Sequence, residues 1–123
     1  MIVSFLFLLA VHWVADFVLQ SHWMASNKSK SEKALAIHVA VYTIALCMAV
    51  PLIFFNAGIG QWLAFVWLNG SLHWATDHCT SRWSSRLWAK QDWHNFFVVI
   101  GFDQLMHQFT LGVTMLYFFG SGR

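Results

Sequence analysis

Two short motifs, H-W-V-A-D at 12–16 and H-W-A-T-D at 73–77, set an imidazole and a carboxylate four residues apart inside apolar sequence. D-Q-L-M-H at 103–107 repeats the spacing in reverse. Residues four apart share a helix face, so each pair presents both groups to one side. A carboxylate in apolar surroundings is costly unless it is paired, liganded or turned to a polar cavity. Three such pairs in one chain therefore demand a fold that gathers helix faces around a common polar interior.

Composition narrows what those helices are. Of the 123 residues, 59% are hydrophobic and 10% charged, against about 25% charged in soluble domains. One Pro and twelve Phe leave no room for linkers or disorder. The chain is expected to be a single integral membrane domain over 1–123. A formal net charge of +2 with seven basic residues gives no basic surface for nucleic acid. Cys47 and Cys79 make no disulfide framework. The first 20 residues lack a basic leader and a small-residue cleavage site, and are expected to form a retained helix.

Apolar runs predict an all-α, four-helix transmembrane bundle with helices over about 2–20, 34–55, 61–80 and 93–119. Pro51 falls near the end of the second. Between the third and fourth lies S-R-W-S-S-R-L-W-A-K-Q-D at 81–92. Its Trp83, Leu87 and Trp88 oppose Arg82, Arg86 and Lys90, which predicts a short interfacial amphipathic helix. Asp92 is the expected N-cap of the last helix. Lys28, Lys30 and Lys33 lie in one connection and Arg82, Arg86 and Lys90 in another, while the middle connection carries no charge. The bias of basic residues toward the cytoplasm then predicts a multi-pass protein of the bacterial inner membrane with both termini outside the cytoplasm.

On that topology all three pairs turn the carboxylate toward the cytoplasm and the imidazole roughly 6 Å deeper, with His38 at a similar level. His12, Asp16, His38, His73, Asp77, Asp103 and His107 form the predicted ligand set for one or two divalent metal ions. Mixed nitrogen and oxygen donors suit zinc first, with manganese or iron next. Asp16, Asp77 and Asp103 are the candidate catalytic carboxylates, and Arg82, Arg86 and Lys28 the candidate headgroup-binding cations. Gln20, Asn69, Tyr42 and Gln108 extend the same faces as groups that could orient the ligands. The shared H-W-x-x-D motifs also suggest a duplicated helical hairpin.

These residues carry a resemblance. H-x-x-x-D-F-x-L-Q at 12–20, lysines before H-x-x-x-Y at 38–42, H-x-x-x-D at 73–77 and D-Q-x-x-H at 103–107 resemble a family of small integral membrane proteins of unknown function from bacteria and their phages. More distantly, the helical His/Asp pairs are similar to membrane-bound metal-dependent hydrolases. That likeness and the ligand set together imply a metal-dependent hydrolase, and the basic residues at the cytoplasmic mouth add a lipid-linked or phosphorylated headgroup at the cytoplasmic leaflet as its substrate. No extra Glu stands ready as a general base, so a metal-bound water and one of the Asp residues would serve. Two other functions fit the same sequence. One is a non-catalytic phage or bacterial protein acting through a host membrane partner, or as a homo-oligomer, with the pairs only holding the bundle. The other is an intramembrane ion or proton relay.

Overall fold

Ser21 and Ser31 set the first two turns of the chain's polar stretch. Each is extended and accepts a backbone N–H with its hydroxyl, from Met24 at 3.2 Å and from Ala34 at 3.3 Å, the usual way a serine starts a helix. In the computed structural model, which describes residues 1–120, these caps open α2 (His22–Asn27) and α3 (Glu32–Ile53). α1 (Ile2–Trp13) precedes them, and α4 (Ile59–Ala89) and α5 (Trp93–Phe119) complete the described chain. α4 is central: it packs along α3 on one side and α5 on the other, while α1 closes the bundle against α3 and α5.

Four expectations are corrected. Among the described residues the protein is all-α with five α-helices, not a four-helix transmembrane bundle. Among the described residues only α3 and α5 are long and apolar enough to cross a membrane. α1 stops at Trp13 and passes into a π-helical turn, Val14–Val18, so its apolar run ends after Ile2–Val18, short of the roughly 20 residues a span needs. α4 has the length, but buried Asn69, His73, Asp77, Thr80, Ser81 and Ser84 run down it. The multi-pass inner-membrane placement with both termini outside falls with those two spans. The depth ordering of the His/Asp pairs relative to a bilayer loses its frame as well.

Nor is there a separate interfacial helix at 81–92. Residues 81–89 continue α4 without a break, because no Gly or Pro interrupts the run. The break falls at Lys90–Gln91. There the N–H of Asp92 reaches the Leu87 carbonyl (3.0 Å) and that of Gln91 the Trp88 carbonyl (3.0 Å), the paired bonds of a Schellman turn. Gln91 occupies the left-handed position, φ 57°, where glycine is the unstrained residue. Gln91→Gly is expected to raise unfolding stability by about 1 kcal/mol, read from the denaturation midpoint. Asp92 then caps α5, accepting from the Asn95 backbone (3.3 Å) and side chain (2.8 Å).

The bundle divides along its length. One half is filled by Leu8, Leu46, Val50, Phe65, Leu111 and Met115, with Phe54 stacked on Phe119 at 4.0 Å. Each such side chain contributes roughly 1.5–3 kcal/mol by leaving water. The other half is polar. Between the two, Gly70 of α4 meets α3 so closely that a Cβ would lie 2.7 Å from Thr43 Oγ1, itself bonded to the Val39 carbonyl at 2.8 Å. Gly70→Ala is expected to cost about 1–3 kcal/mol by overpacking. It should also weaken whatever His38 and His73 hold jointly, since both flank this contact. Parallel unfolding and ligand-binding measurements on the variant check both effects.

Candidate metal centre

The polar half gathers the seven predicted ligands into one buried group. His12, Asp16, His38, His73, Asp77, Asp103 and His107 are all 8% exposed or less. Helical periodicity supplies most of this: α4 turns His73 and Asp77 to the same face, and α5 does so for Asp103 and His107. The π turn changes the first pair. The amide of Leu19 reaches back five residues to the Val14 carbonyl, 2.8 Å, so Asp16 is rotated relative to His12. Its Oδ1 lies 3.0 Å from His38 Nε2, whereas its Oδ2 is 3.8 Å from His12 Nε2.

Two sets of donors emerge. In the first, one ligand atom each from Asp16, His38, His73 and Asp77 lies within 4.8 Å of every other, and all four residues are buried. His38 Nε2 is the hub: Asp16 Oδ1 at 3.0 Å, Asp77 Oδ2 at 3.2 Å and His73 Nε2 at 3.1 Å. One imidazole nitrogen carries at most one proton and cannot satisfy three such neighbours. The second set is Asp16, Asp103 and His107, with His107 Nε2 3.4 Å from Asp103 Oδ1. These clusters of buried His and Asp residues could coordinate a divalent metal ion. Asp77 joins the sets, its Oδ1 3.0 Å from His107 Nε2.

The surroundings hold this arrangement by stacking and by donors to the carboxylates. His73 lies flat between the Tyr42 ring (4.0 Å, 10°) and the His107 ring (4.2 Å, 25°). The Nδ1 atoms of His12, His38 and His73 have no hydrogen-bond partner, so ring packing, not an imidazole–carbonyl bond, sets their orientation. Gln104 donates from Nε2 to Asp16 Oδ2 (3.0 Å) and Asp103 Oδ2 (3.1 Å), and its Oε1 lies 3.4 Å from His12 Nε2. Thr80 donates to Asp103 Oδ1.

Gln104 and Thr80 were not among the predicted site residues. The signal for Thr80 is helical, since it continues the 73–77 face three residues on, whereas Gln104 lies about 60° beyond His107 round α5 and periodicity alone does not bring it to the site. Among the residues expected to orient ligands, Tyr42 stacks on His73. Asn69 instead bonds Thr114 (2.9 Å) and the Phe65 carbonyl, and Gln108 is exposed.

The three predicted headgroup cations are placed differently. Lys28, at the end of α2, sends Nζ to Asp77 Oδ2 at 2.9 Å. Burial works against its charged form, but the carboxylates of Asp77 and Asp16 outweigh that and hold its pKa above the ordinary lysine value. Arg82 bonds Glu32 and the His78 carbonyl instead. Arg86 is exposed. Neither arginine lines the cavity of about 480 Å³ beside the cluster, whereas Asp16, Lys28, Asp103 and Gln104 do.

With neutral imidazoles, three carboxylates against the Lys28 ammonium leave two negative charges in the buried group. One divalent cation offsets that charge. No curated protein and no solved structure matches the chain. Residues 4–122 match the family described as "Protein of unknown function (DUF3307)", and the chain belongs to that family.

Proposed function

We propose that this protein is a metal-dependent hydrolase with two divalent ions, acting on a phosphorylated, lipid-linked headgroup. The observation that carries this reading is the unlike character of the two donor sets. Asp16, His38, His73 and Asp77 offer four donors away from solvent, the composition of a closed site. Asp16, Asp103 and His107 offer three, and Asp16 and Asp103 border the cavity, the composition of a site with an open position. Nitrogen and oxygen donors without sulfur favour zinc, with manganese or iron next.

Asp16, Asp103 and His107 would hold the ion of the open set, which when bound would supply Lewis-acid polarisation and water activation. The protein's own part is positional. Asp103 accepts from Thr80 and Gln104, which fixes its carboxylate at the cavity wall, where it would serve the open set. Asp16 belongs to both sets. A second divalent ion would carry the group from neutral to positive, which suits an anionic phosphate ester.

The lipid part of the reading rests on the outer surface. Only 22% of the apolar window of α3 and 17% of that of α5 is buried, unlike a core helix of a soluble protein. Met48, Leu52, Trp67, Phe97 and Tyr117 all stand outward, each at least 67% exposed. Lipid hydrocarbon is the medium that fits such a surface. A relay lacks a matching feature, because the half of the bundle beyond Asn69 and Thr114 is apolar.

The test is hydrolysis of phosphatidic acid and of an aryl phosphate by the purified, metal-loaded protein. Turnover should require the ion, stop on chelation, and fall more than about a hundredfold in Asp103→Asn. Stoichiometric metal with no turnover on either phosphate ester would overturn the enzymatic reading.

A further inference from the structure

Ser81 stands apart from the other buried hydroxyls of α4, Thr80 and Ser84. It is 9% exposed, its Oγ has no hydrogen-bond partner, and it lines the cavity beside the metal-ligand cluster. Thr80 and Ser84 each satisfy theirs within the protein, on Asp103 and on the Ser81 carbonyl. Gln20, which lines the same cavity, likewise has a buried Oε1 without a partner. Buried polar atoms in native proteins nearly always have partners, and an exception calls for a ligand or water. The cavity is roomy enough: about 480 Å³ lies within the range of about 300–1,000 Å³ for small-molecule sites.

The walls differ in chemistry. Lys28 and Lys30 contribute ammonium groups from the end of α2 and the turn after it. Phe17, Trp88, Phe96 and Ile100 supply the apolar part of the lining. Phe17, Trp88 and Ile100 are also 36–56% exposed, so that part continues to the outside of the protein.

We propose that this cavity is the binding subsite for a single-chain amphiphile whose headgroup is a phosphate ester bearing a free hydroxyl. Lys30 and Lys28 face the phosphate, Ser81 and Gln20 take up the headgroup hydroxyl, and the chain leaves along Phe17 and Ile100. The inference rests on the hydrolase reading for its chemistry, but the subsite stands on residues outside the metal-ligand set. A free phosphate would use the same lysines and leave the apolar wall unused.

Native mass spectrometry of the detergent-purified protein reads bound lipid and bound metal together. Three probes are compared: lauroyl lysophosphatidic acid, glycerol 3-phosphate and monolauroylglycerol. The lysophosphatidic acid should bind one per chain, with each of the other two weaker by about tenfold or more. Lys30→Ala and Ser81→Ala should each weaken it by about tenfold while the metal content stays unchanged. Because Ser81 Oγ has no protein partner, Ser81→Ala should fold normally, as should Lys30→Ala at an exposed site. Equal binding of monolauroylglycerol would reduce the cavity to non-specific apolar uptake and overturn the proposal. Equal binding of glycerol 3-phosphate would assign the subsite to a water-soluble ester and overturn the amphiphile. Full binding in the Lys30→Ala/Ser81→Ala double variant would overturn it too. Absence of metal from the unmodified protein would instead defeat the hydrolase reading and leave the lipid result standing.

Discussion

Asp77→Asn is expected to empty the closed donor set, with metal affinity falling more than about a hundredfold. Asp77 Oδ2 lies 3.2 Å from His38 Nε2 and 2.9 Å from Lys28 Nζ, and Oδ1 lies 3.0 Å from His107 Nε2. Asn keeps the shape but exchanges one oxygen for an NH₂ that cannot ligate and leaves the other uncharged. Loss of a group that only orients a ligand typically costs 10–100-fold in affinity, and a direct donor costs more. A second effect falls on stability. Lys28 is 18% exposed, so stripping its nearest carboxylate leaves a largely buried ammonium. Breaking a fully buried pair costs about 3–5 kcal/mol, and partial access to water brings the expectation here to about 1–3 kcal/mol. Adding Lys28→Met should return that stability without returning the ion. Metal content and unfolding midpoints of the single and double variants separate the two effects. Full metal occupancy in Asp77→Asn would contradict the ligand assignment.

His73→Ala has the next largest expected effect, and it divides into packing and ligation. The imidazole is sandwiched by Tyr42 and His107, and stacked pairs of this kind contribute about 0.5–1.5 kcal/mol each beyond burial. Truncation also opens a cavity at a fully buried position. Together these give an expected loss of about 2–4 kcal/mol, along with the closed-set ion. His73→Phe is the control. The ring refills the stack and should recover most of the stability, yet it offers no lone pair, so metal and turnover should remain lost. A His73→Phe protein that still binds metal would show that His73 is a packing residue.

The part of this molecule legible in its sequence is the part governed by helical periodicity. His/Asp spacings of four residues on α4 and α5 translate directly into shared faces, and the lone His38 follows from its place one turn into an apolar helix. What periodicity cannot supply is the register between helices. It could not tell that Asp16 turns away from His12 toward His38, because that depends on a π turn without a marker in V-A-D-F-V. It could not place Lys28 against Asp77, 49 residues away, or separate it from Arg82, which finds Glu32 first.

The spans failed for a different reason. An apolar run predicts a span whichever face its polar residues take, while α4 concentrates its polar side chains on one face and α1 ends early. The Trp/Arg pattern at 81–89 fits an interfacial helix and the end of a long helix equally well. Only the Schellman turn at Lys90–Gln91 shows which it is, and its left-handed residue is a Gln where a Gly would have announced the break.

The most direct test of the central claim is the metal count of the purified protein, by elemental analysis, in three forms. The unmodified chain should carry one divalent ion for each donor set. Asp103→Asn should lose the open-set ion and keep the closed one, and Asp77→Asn should lose the closed-set ion. A folded protein that takes up no divalent ion, even after incubation with zinc, manganese and iron, would contradict the account.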